Sequence, residues 1–187
     1  MRSLFVILTF LALPLVALAD DSKKTPAVLN FKMKDLDGKE VDLAKYKGKV
    51  VLFVNVASKC GLTPQYKQLQ ALHDKFADKG LVIIGVPANE FLSQEPGTNA
   101  QIKEFCTSEY NVKFPMLAKV VVKGKGICPL YDHLTSEKTN PKFSGDIKWN
   151  FTKFLVNKDG EIVNRFEPRT SPDAKDVVGA IEAELKK

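Results

Sequence analysis

The chain has 187 residues, of which 44% are apolar and 27% are charged, and its formal net charge is +6. These values are those of a globular protein with room for a buried core, and the chain contains no low-complexity tract or internal repeat. Its basic residues are scattered in short pairs, so we expect a soluble surface and no nucleic-acid partner.

The first 19 residues have the pattern of a secretory signal peptide. One positive charge precedes an almost wholly apolar run over 4–18, and Ala17-Leu18-Ala19 offers a small-residue cleavage site. An uncleaved membrane anchor is the alternative, but the run is shorter than the ~20 residues of a membrane span. We expect export, to a periplasm or outside the cell, with cleavage near Ala19. One mature domain over 20–187, without stable membrane insertion, should remain.

The following residues predict an α/β domain with a mixed sheet. Residues 28–43 alternate apolar and polar side chains around Asp37-Gly38, which predicts an N-terminal β-hairpin. Near-continuous apolar runs within 47–56 and at 81–86 predict two buried strands. Thr63 and Pro64 suit the cap and first residue of a helix between these strands, which should therefore be parallel.

The second half predicts further helices around a sheet of about four or five strands. Thr98 and Gln101 form a capping box for a helix that carries Ile102, Phe105 and Cys106 on one face. The later predicted elements are a short strand at Val120–Val122, a helical turn or two at 129–134, a hairpin at 151–166 that turns at Asp159-Gly160, and a helix from about 174 to 185.

Cys60 is the first candidate for chemistry. Three cysteines are an odd number for an exported protein, so at least one free thiol is expected. Cys60 follows the first buried strand and precedes a helix, whose N-terminus favours a thiolate. Lys59 adds a positive charge, and Gly61 leaves the sulfur accessible. A buried, inert cysteine is the alternative, but a turn between lysine and glycine favours a reactive thiol.

Five segments resemble those of a known family. They read NVASKCGLTPQY, QEPGT, FCTSEYNVKFPM, PLY and KWNFTKFLVNKDG, in this order, and the similarity runs from about residue 27 to the C-terminus. The chain resembles the glutathione peroxidase family, which implies a thioredoxin-like fold with helices flanking the mixed sheet. The resemblance also implies that Cys60 attacks a hydroperoxide, giving an alcohol or water and a cysteine sulfenic acid.

The resemblance implies three more catalytic residues. Trp149 and Asn150 would donate hydrogen bonds near the sulfur, although Asn150-Phe151-Thr152 is also an N-glycosylation sequon. Glu90 is assigned to the slot that holds a glutamine in the family, where an ionised carboxylate offers no donor. Glu90 could be protonated and donate, point away toward Lys59 or solvent, or accept the thiol proton through water, and the sequence leaves these possibilities open.

The resemblance also implies that Cys106 resolves the sulfenic acid by forming a disulfide with Cys60. Its position on an apolar helix face equally suits a buried core cysteine. Cys128 is interpreted as a spare thiol. No cofactor is expected, and no metal either, since His73 and His133 are isolated from each other and from any metal-binding cysteine pattern.

We therefore predict a thiol peroxidase that reduces hydrogen peroxide and organic, including lipid, hydroperoxides. A thioredoxin-like dithiol, or glutathione, would recycle it. The resemblance implies a monomer with an open site, because the connection from Tyr131 to Trp149 has no room for the long insertion of the family's tetrameric members. One alternative is a thiol–disulfide oxidoreductase, which Thr63 argues against because it occupies the second position of a Cys-x-x-Cys motif. The other is a non-catalytic redox sensor that uses the same cysteines.

Overall fold

The computed structural model describes residues 24–187, so the predicted signal peptide lies outside the described residues. In chain order the strands and α-helices are β1 (Lys32–Lys34), β2 (Glu40–Asp42), β3 (Val50–Val56), α1 (Gln65–Phe76), β4 (Leu81–Pro87), α2 (Asn99–Tyr110), α3 (Pro129–Thr135), β5 (Lys153–Val156), β6 (Ile162–Phe166) and α4 (Lys175–Lys186). Over the described range, no helix is long and apolar enough to cross a membrane.

Four strands form the central sheet in the order β4-β3-β5-β6. The pair β3 and β4 is parallel, as the strand–helix–strand pattern predicted, and the other two pairs are antiparallel. Every residue of β3 is buried because the sheet is covered on both faces. Leu52 points into a cluster with Leu69 of α1 and Ile181 of α4, whereas Phe53 points into a second cluster with Leu130 of α3.

Local sequence signals account for the two hairpins and for one helix start. Strands β1 and β2 pair in antiparallel fashion across Gly38, whose φ is +78°, and β5 and β6 turn at Gly160, whose φ is +80°. These positive values are the reason for glycine in each Asp-Gly turn. The capping box of α2 is present, with both the Thr98 and the Gln101 side chains bonded to backbone amides. These predictions are confirmed.

Two local predictions were wrong. Val120–Val122 is not a strand, because its amides bond to separate acceptors. The Val120 N–H donates to the carbonyl of Pro87, the last residue of β4, at 3.1 Å, and the Val122 N–H donates to the Glu90 side chain at 2.9 Å. Thr63 does not cap α1, which begins after Pro64 without a side-chain cap. The Thr63 hydroxyl instead donates to the Ala57 carbonyl at 2.8 Å, within the loop that carries Cys60.

The sheet topology brings three loops to one edge. Parallel β3 and β4 end together, with Val56 opposite Pro87, and antiparallel β5 begins beside them, with Lys153 opposite Val54. The loops after β3, after β4 and before β5 therefore meet at this edge. The carboxyl ends of parallel strands are where ligand sites form in open α/β sheets.

Candidate active site

An open cleft of about 830 Å³ lies where these loops meet. Each loop contributes a lining residue: Cys60 after β3, Gln94 after β4 and Trp149 before β5. The loop after β6 closes one side with Pro168 and Arg169. The cleft thus joins two of the predicted site residues, Cys60 and Trp149, with one that the sequence did not single out.

The Cys60 loop is organised around its sulfur. The Cys60 N–H donates to the Thr63 hydroxyl at 3.0 Å, and the Thr63 N–H donates to the Cys60 carbonyl at 3.0 Å. These bonds close a tight turn just before α1. Within it the Leu62 N–H donates to the Cys60 sulfur at 3.4 Å. The residue is 7% exposed and lines the cleft, so a thiolate there would be reachable and stabilised by a backbone donor.

Asn150 supports the cleft from behind. Its side chain is fully buried, and its Nδ2 donates to Oε1 of Gln94 at 3.0 Å. This bond uses the acceptor end of the Gln94 amide, so the donor end, Nε2, is available to the cleft. Trp149 is half-buried and packs against Phe91, with ring centroids 5.8 Å apart. Because Asn150 is buried, a glycan cannot attach to it in the folded protein.

Glu90 lies outside this arrangement, which corrects its assignment to the site. It is exposed, and its carboxylate accepts a hydrogen bond from the Val122 N–H at 2.9 Å. Glu90 does not line the cleft that holds Cys60, and its carboxylate is bonded to the backbone of Val122. The glutamine of the site is Gln94, four residues later. The signal is present in the sequence, because Gln94 begins the QEPGT segment that resembles the family.

Asn55 holds the segment that carries Trp149 and Asn150. Its Nδ2 donates to the Trp149 carbonyl at 3.2 Å, and its Oδ1 accepts from the Thr152 N–H at 3.0 Å. Phe151 has a φ of +68°, a strained value for a bulky residue, and its N–H donates to the Asn55 carbonyl at 2.6 Å. A buried polar residue inside an apolar strand was the signal, and the sequence reasoning missed it.

A buried lysine fixes the wall of the cleft opposite Gln94. Lys153 donates to the carbonyls of Pro168 at 3.2 Å and Thr170 at 2.6 Å, and Gln65 donates to the same Pro168 carbonyl at 2.8 Å. Burial lowers the pKa of Lys153 to about 7. Two side chains therefore hold the backbone between Glu167 and Thr170 where it borders the cleft.

Cys106 lies in α2, separate from the cleft. It is 2% exposed, and burial raises the pKa of its thiol to about 11. It lines another cavity, of about 270 Å³, beside Phe114 and Met116. Cys60 and Cys106 belong to one hydrophobic cluster but are free thiols, as is Cys128 at the start of α3. Over residues 24–187, no group of histidine, cysteine or acidic side chains could hold a metal ion.

Comparisons with known proteins agree with this geometry. A family model described as glutathione peroxidase matches residues 28–135. The chain is 47% identical to a protein of Citrus sinensis named probable phospholipid hydroperoxide glutathione peroxidase, over 89% of this chain and 96% of that protein. It is 41% identical to Thioredoxin/glutathione peroxidase BtuE of Escherichia coli (strain K12), over 86% of this chain and 98% of that protein.

Solved structures agree as well. The crystal structure of T. cruzi GPX1 matches with a TM-score of 0.67 and 31% identity, over 85% of this chain and 96% of that chain. This match confirms the predicted thioredoxin-like fold. The chain is a peroxidase that belongs to the glutathione peroxidase family.

Proposed function

We propose that Cys60 is the residue that reacts with the peroxide. Its thiolate attacks the terminal oxygen of a hydroperoxide and the O–O bond breaks, leaving a sulfenic acid on Cys60. The departing oxygen takes up a proton and leaves as an alcohol or water. The observation that carries this proposal is the Leu62 N–H bonded to a cleft-lining sulfur at 3.4 Å, with Gln94 and Trp149 lining the same cleft.

The substrates would include organic hydroperoxides, lipid hydroperoxides among them. The cleft is open, and the apolar side chains of Leu62 and Trp149 line it. Such a surface accepts an acyl chain beside the reacting O–O group. The name of the Citrus sinensis relative, which specifies phospholipid hydroperoxide, supports the same substrate class. Hydrogen peroxide needs none of these contacts and would also react.

Cys106 would resolve the sulfenic acid as a disulfide with Cys60. The two thiols line different cavities, so α2 must move during each cycle. Two side chains of α2, Ile102 and Cys106, are buried, and Phe105 and Tyr110 are partly exposed where they pack against the core. Exposing the isoleucine alone costs roughly 1.5–3 kcal/mol. A surface helix with few fully buried side chains is a suitable unit for local opening.

A dithiol of the thioredoxin type would then reduce the disulfide, with glutathione as the second possible reductant. The BtuE relative is named for both reductants. We also propose that the protein is exported, which the apolar run over 4–18 supports, and that it acts as a monomer. N-terminal sequencing of the secreted protein would test export, and light scattering coupled to size-exclusion chromatography would test the monomer.

Steady-state peroxide consumption tests the proposal. The mature protein should turn over with thioredoxin and thioredoxin reductase, and Cys60→Ser should abolish turnover. Cys106→Ser should still consume one equivalent of peroxide but lose turnover with thioredoxin. A single oxidation without turnover would favour a redox sensor. Disulfide exchange on a reduced client protein without peroxide consumption would favour a thiol–disulfide oxidoreductase.

A further inference from the structure

Glu95 directly follows Gln94 but lines a different cavity. This second cavity, of about 390 Å³, lies between the loop that carries Cys60 and the helix that carries Cys106. Ser58 and Lys59 line it from the first side, and Ile102 and Phe105 of α2 line it from the other. Glu95 therefore lies between the two segments that must meet when a disulfide forms.

The Glu95 carboxylate is buried without a fixed partner. The residue is 1% exposed, and within residues 24–187 neither carboxylate oxygen has a hydrogen bond of ordinary geometry. Its backbone, in contrast, is firmly held: the N–H donates to Oδ1 of Asn89 at 2.8 Å, and the carbonyl accepts from Lys119 at 3.0 Å. Burial without well-formed hydrogen bonds destabilises the charged carboxylate, which favours its uptake of a proton.

The charged and titratable groups around Glu95 lie on two sides. Burial raises the pKa of Glu95, and the Ser58 hydroxyl and backbone, Lys119 and Lys59 partly offset this rise. On the other side the carboxylate acts on Cys106 and Tyr66, and its charge raises the pKa of both. The Tyr66 hydroxyl in turn lies close to the Cys106 thiol and partly offsets the rise in its pKa.

A resolving cysteine with these properties needs a base. Because the pKa of the Cys106 thiol is about 11, roughly one molecule in 10,000 holds it as a thiolate near pH 7. The thiolate is the species that attacks sulfur. Burial raises the pKa of the Glu95 carboxyl, so this carboxylate accepts a proton more readily than an exposed one would.

We propose that Glu95 accepts the Cys106 proton in the resolving step, an inference that rests on the proposed resolving function of Cys106. Proton transfer neutralises the carboxylate, which removes its repulsion of the new thiolate. The Cys106 sulfur then attacks the Cys60 sulfenic acid, the S–S bond forms and the S–O bond breaks. The departing hydroxide takes the proton and leaves as water, so Glu95 returns to its starting state. The cavity beside Glu95 reaches Ile102 and Phe105 on the helix that carries Cys106, so a water molecule there could relay the proton.

Single-turnover kinetics test this inference. Reduced protein receives one equivalent of hydrogen peroxide, Trp149 fluorescence follows the oxidation of Cys60, and alkylation quench with mass spectrometry follows the Cys60–Cys106 disulfide. In Glu95→Gln, disulfide formation should slow about 100-fold, whereas the oxidation of Cys60 should stay within twofold. The matched control is Glu104→Gln, an exposed carboxylate on α2, the helix that carries Cys106, and it should change neither phase.

The pH profile separates proton transfer from a structural effect. In the wild type, the rate of disulfide formation should fall as the pH falls through the pKa of Glu95, because a protonated carboxyl cannot accept a proton. Glu95→Gln should lose this acidic limb, and Glu95→Asp, which keeps a carboxylate, should retain it at a lower rate. Unchanged kinetics in Glu95→Gln, or an Asp variant without the limb, would overturn the inference. A wild type that forms no Cys60–Cys106 disulfide would instead overturn the proposed function.

Discussion

Replacing Asn55 with alanine should loosen the segment that carries Trp149 and Asn150. The variant loses the bonds from Asn55 to the Trp149 carbonyl and from the Thr152 N–H. The backbone bonds between Asn55 and the segment, at 2.6 Å from Phe151 and 3.3 Å to Thr152, do not depend on the side chain. The perturbation therefore removes the side-chain support and leaves the strand itself in place.

The loss of stability expected in Asn55→Ala depends on the hydrogen bonds that the Trp149 carbonyl and the Thr152 N–H keep. The Trp149 carbonyl also accepts from the Thr152 hydroxyl at 3.0 Å, so it keeps one bond. The buried Thr152 N–H keeps none from a side chain, and an unsatisfied donor costs about 1–3 kcal/mol. The removed side chain also leaves a small cavity in a fully buried site. We expect the free energy of unfolding to fall by about 2–4 kcal/mol.

The assay compares stability with the first chemical step. Urea unfolding measures the free energy, and stopped-flow fluorescence measures the rate of Cys60 oxidation by peroxide. The control is Asn157→Ala at the distant β5–β6 turn, where Oδ1 accepts from the Asp159 N–H at 3.1 Å and the Glu161 N–H at 2.8 Å. Asn55→Ala should lower the oxidation rate about tenfold, and Asn157→Ala should lower stability alone. Equal oxidation rates in the two variants would refute the positioning role of Asn55.

Four further substitutions test the cleft and the segments around it. Gln94→Ala should lower the Cys60 oxidation rate by about 100-fold, since loss of one preorganised donor has that order of effect, whereas Glu90→Ala should stay within twofold; the reverse order in stopped-flow measurements would restore Glu90 to the site. Lys153→Met should be compared with the wild type by urea unfolding across pH. The Lys153 pKa is about 7 when folded and 10.5 in the unfolded reference, so the unfolded state binds more protons between these values. The wild type should therefore gain stability relative to the variant as the pH rises through this window, and a constant difference would contradict the burial of a titrating lysine. Leu92→Asn should raise the free energy of unfolding by about 0.5–1 kcal/mol, because Leu92 is 78% exposed with a φ of +53°; a decrease in the urea midpoint would show that the leucine itself is needed.

The elements that the sequence predicted correctly are those set by local periodicity and turn chemistry. The apolar run of β3 predicted a strand buried on both faces, and every residue of the strand is buried. The Asp-Gly turns require the positive φ of Gly38 and Gly160. The strand predicted at Val120–Val122 does not form, because the Val120 and Val122 amides donate to the Pro87 carbonyl and the Glu90 carboxylate. Only the folded chain brings these acceptors near.

The sequence predicted Cys60, Trp149 and Asn150, which the fold places in or behind the cleft, but it did not predict the residues that position them. Cys60 could be identified from its turn and from the family segments, which are local in the sequence. Gln94 lines the cleft and Glu90 does not because of the loop between them, where Leu92 and Ser93 both have positive φ and redirect the chain. The roles of Asn55 and Glu95 depend on contacts across the fold, and no spacing in the sequence encodes them.

The central claim is that Cys60 is the thiol oxidised first. Reduced protein should be treated with one equivalent of an organic hydroperoxide in the presence of a sulfenic-acid trap, and the adduct located by mass spectrometry. We expect the trap adduct on Cys60. In Cys106→Ser we expect more of this adduct, because the sulfenic acid lives longer. A trap found first on Cys106 or Cys128, with Cys60 still reduced, would contradict it.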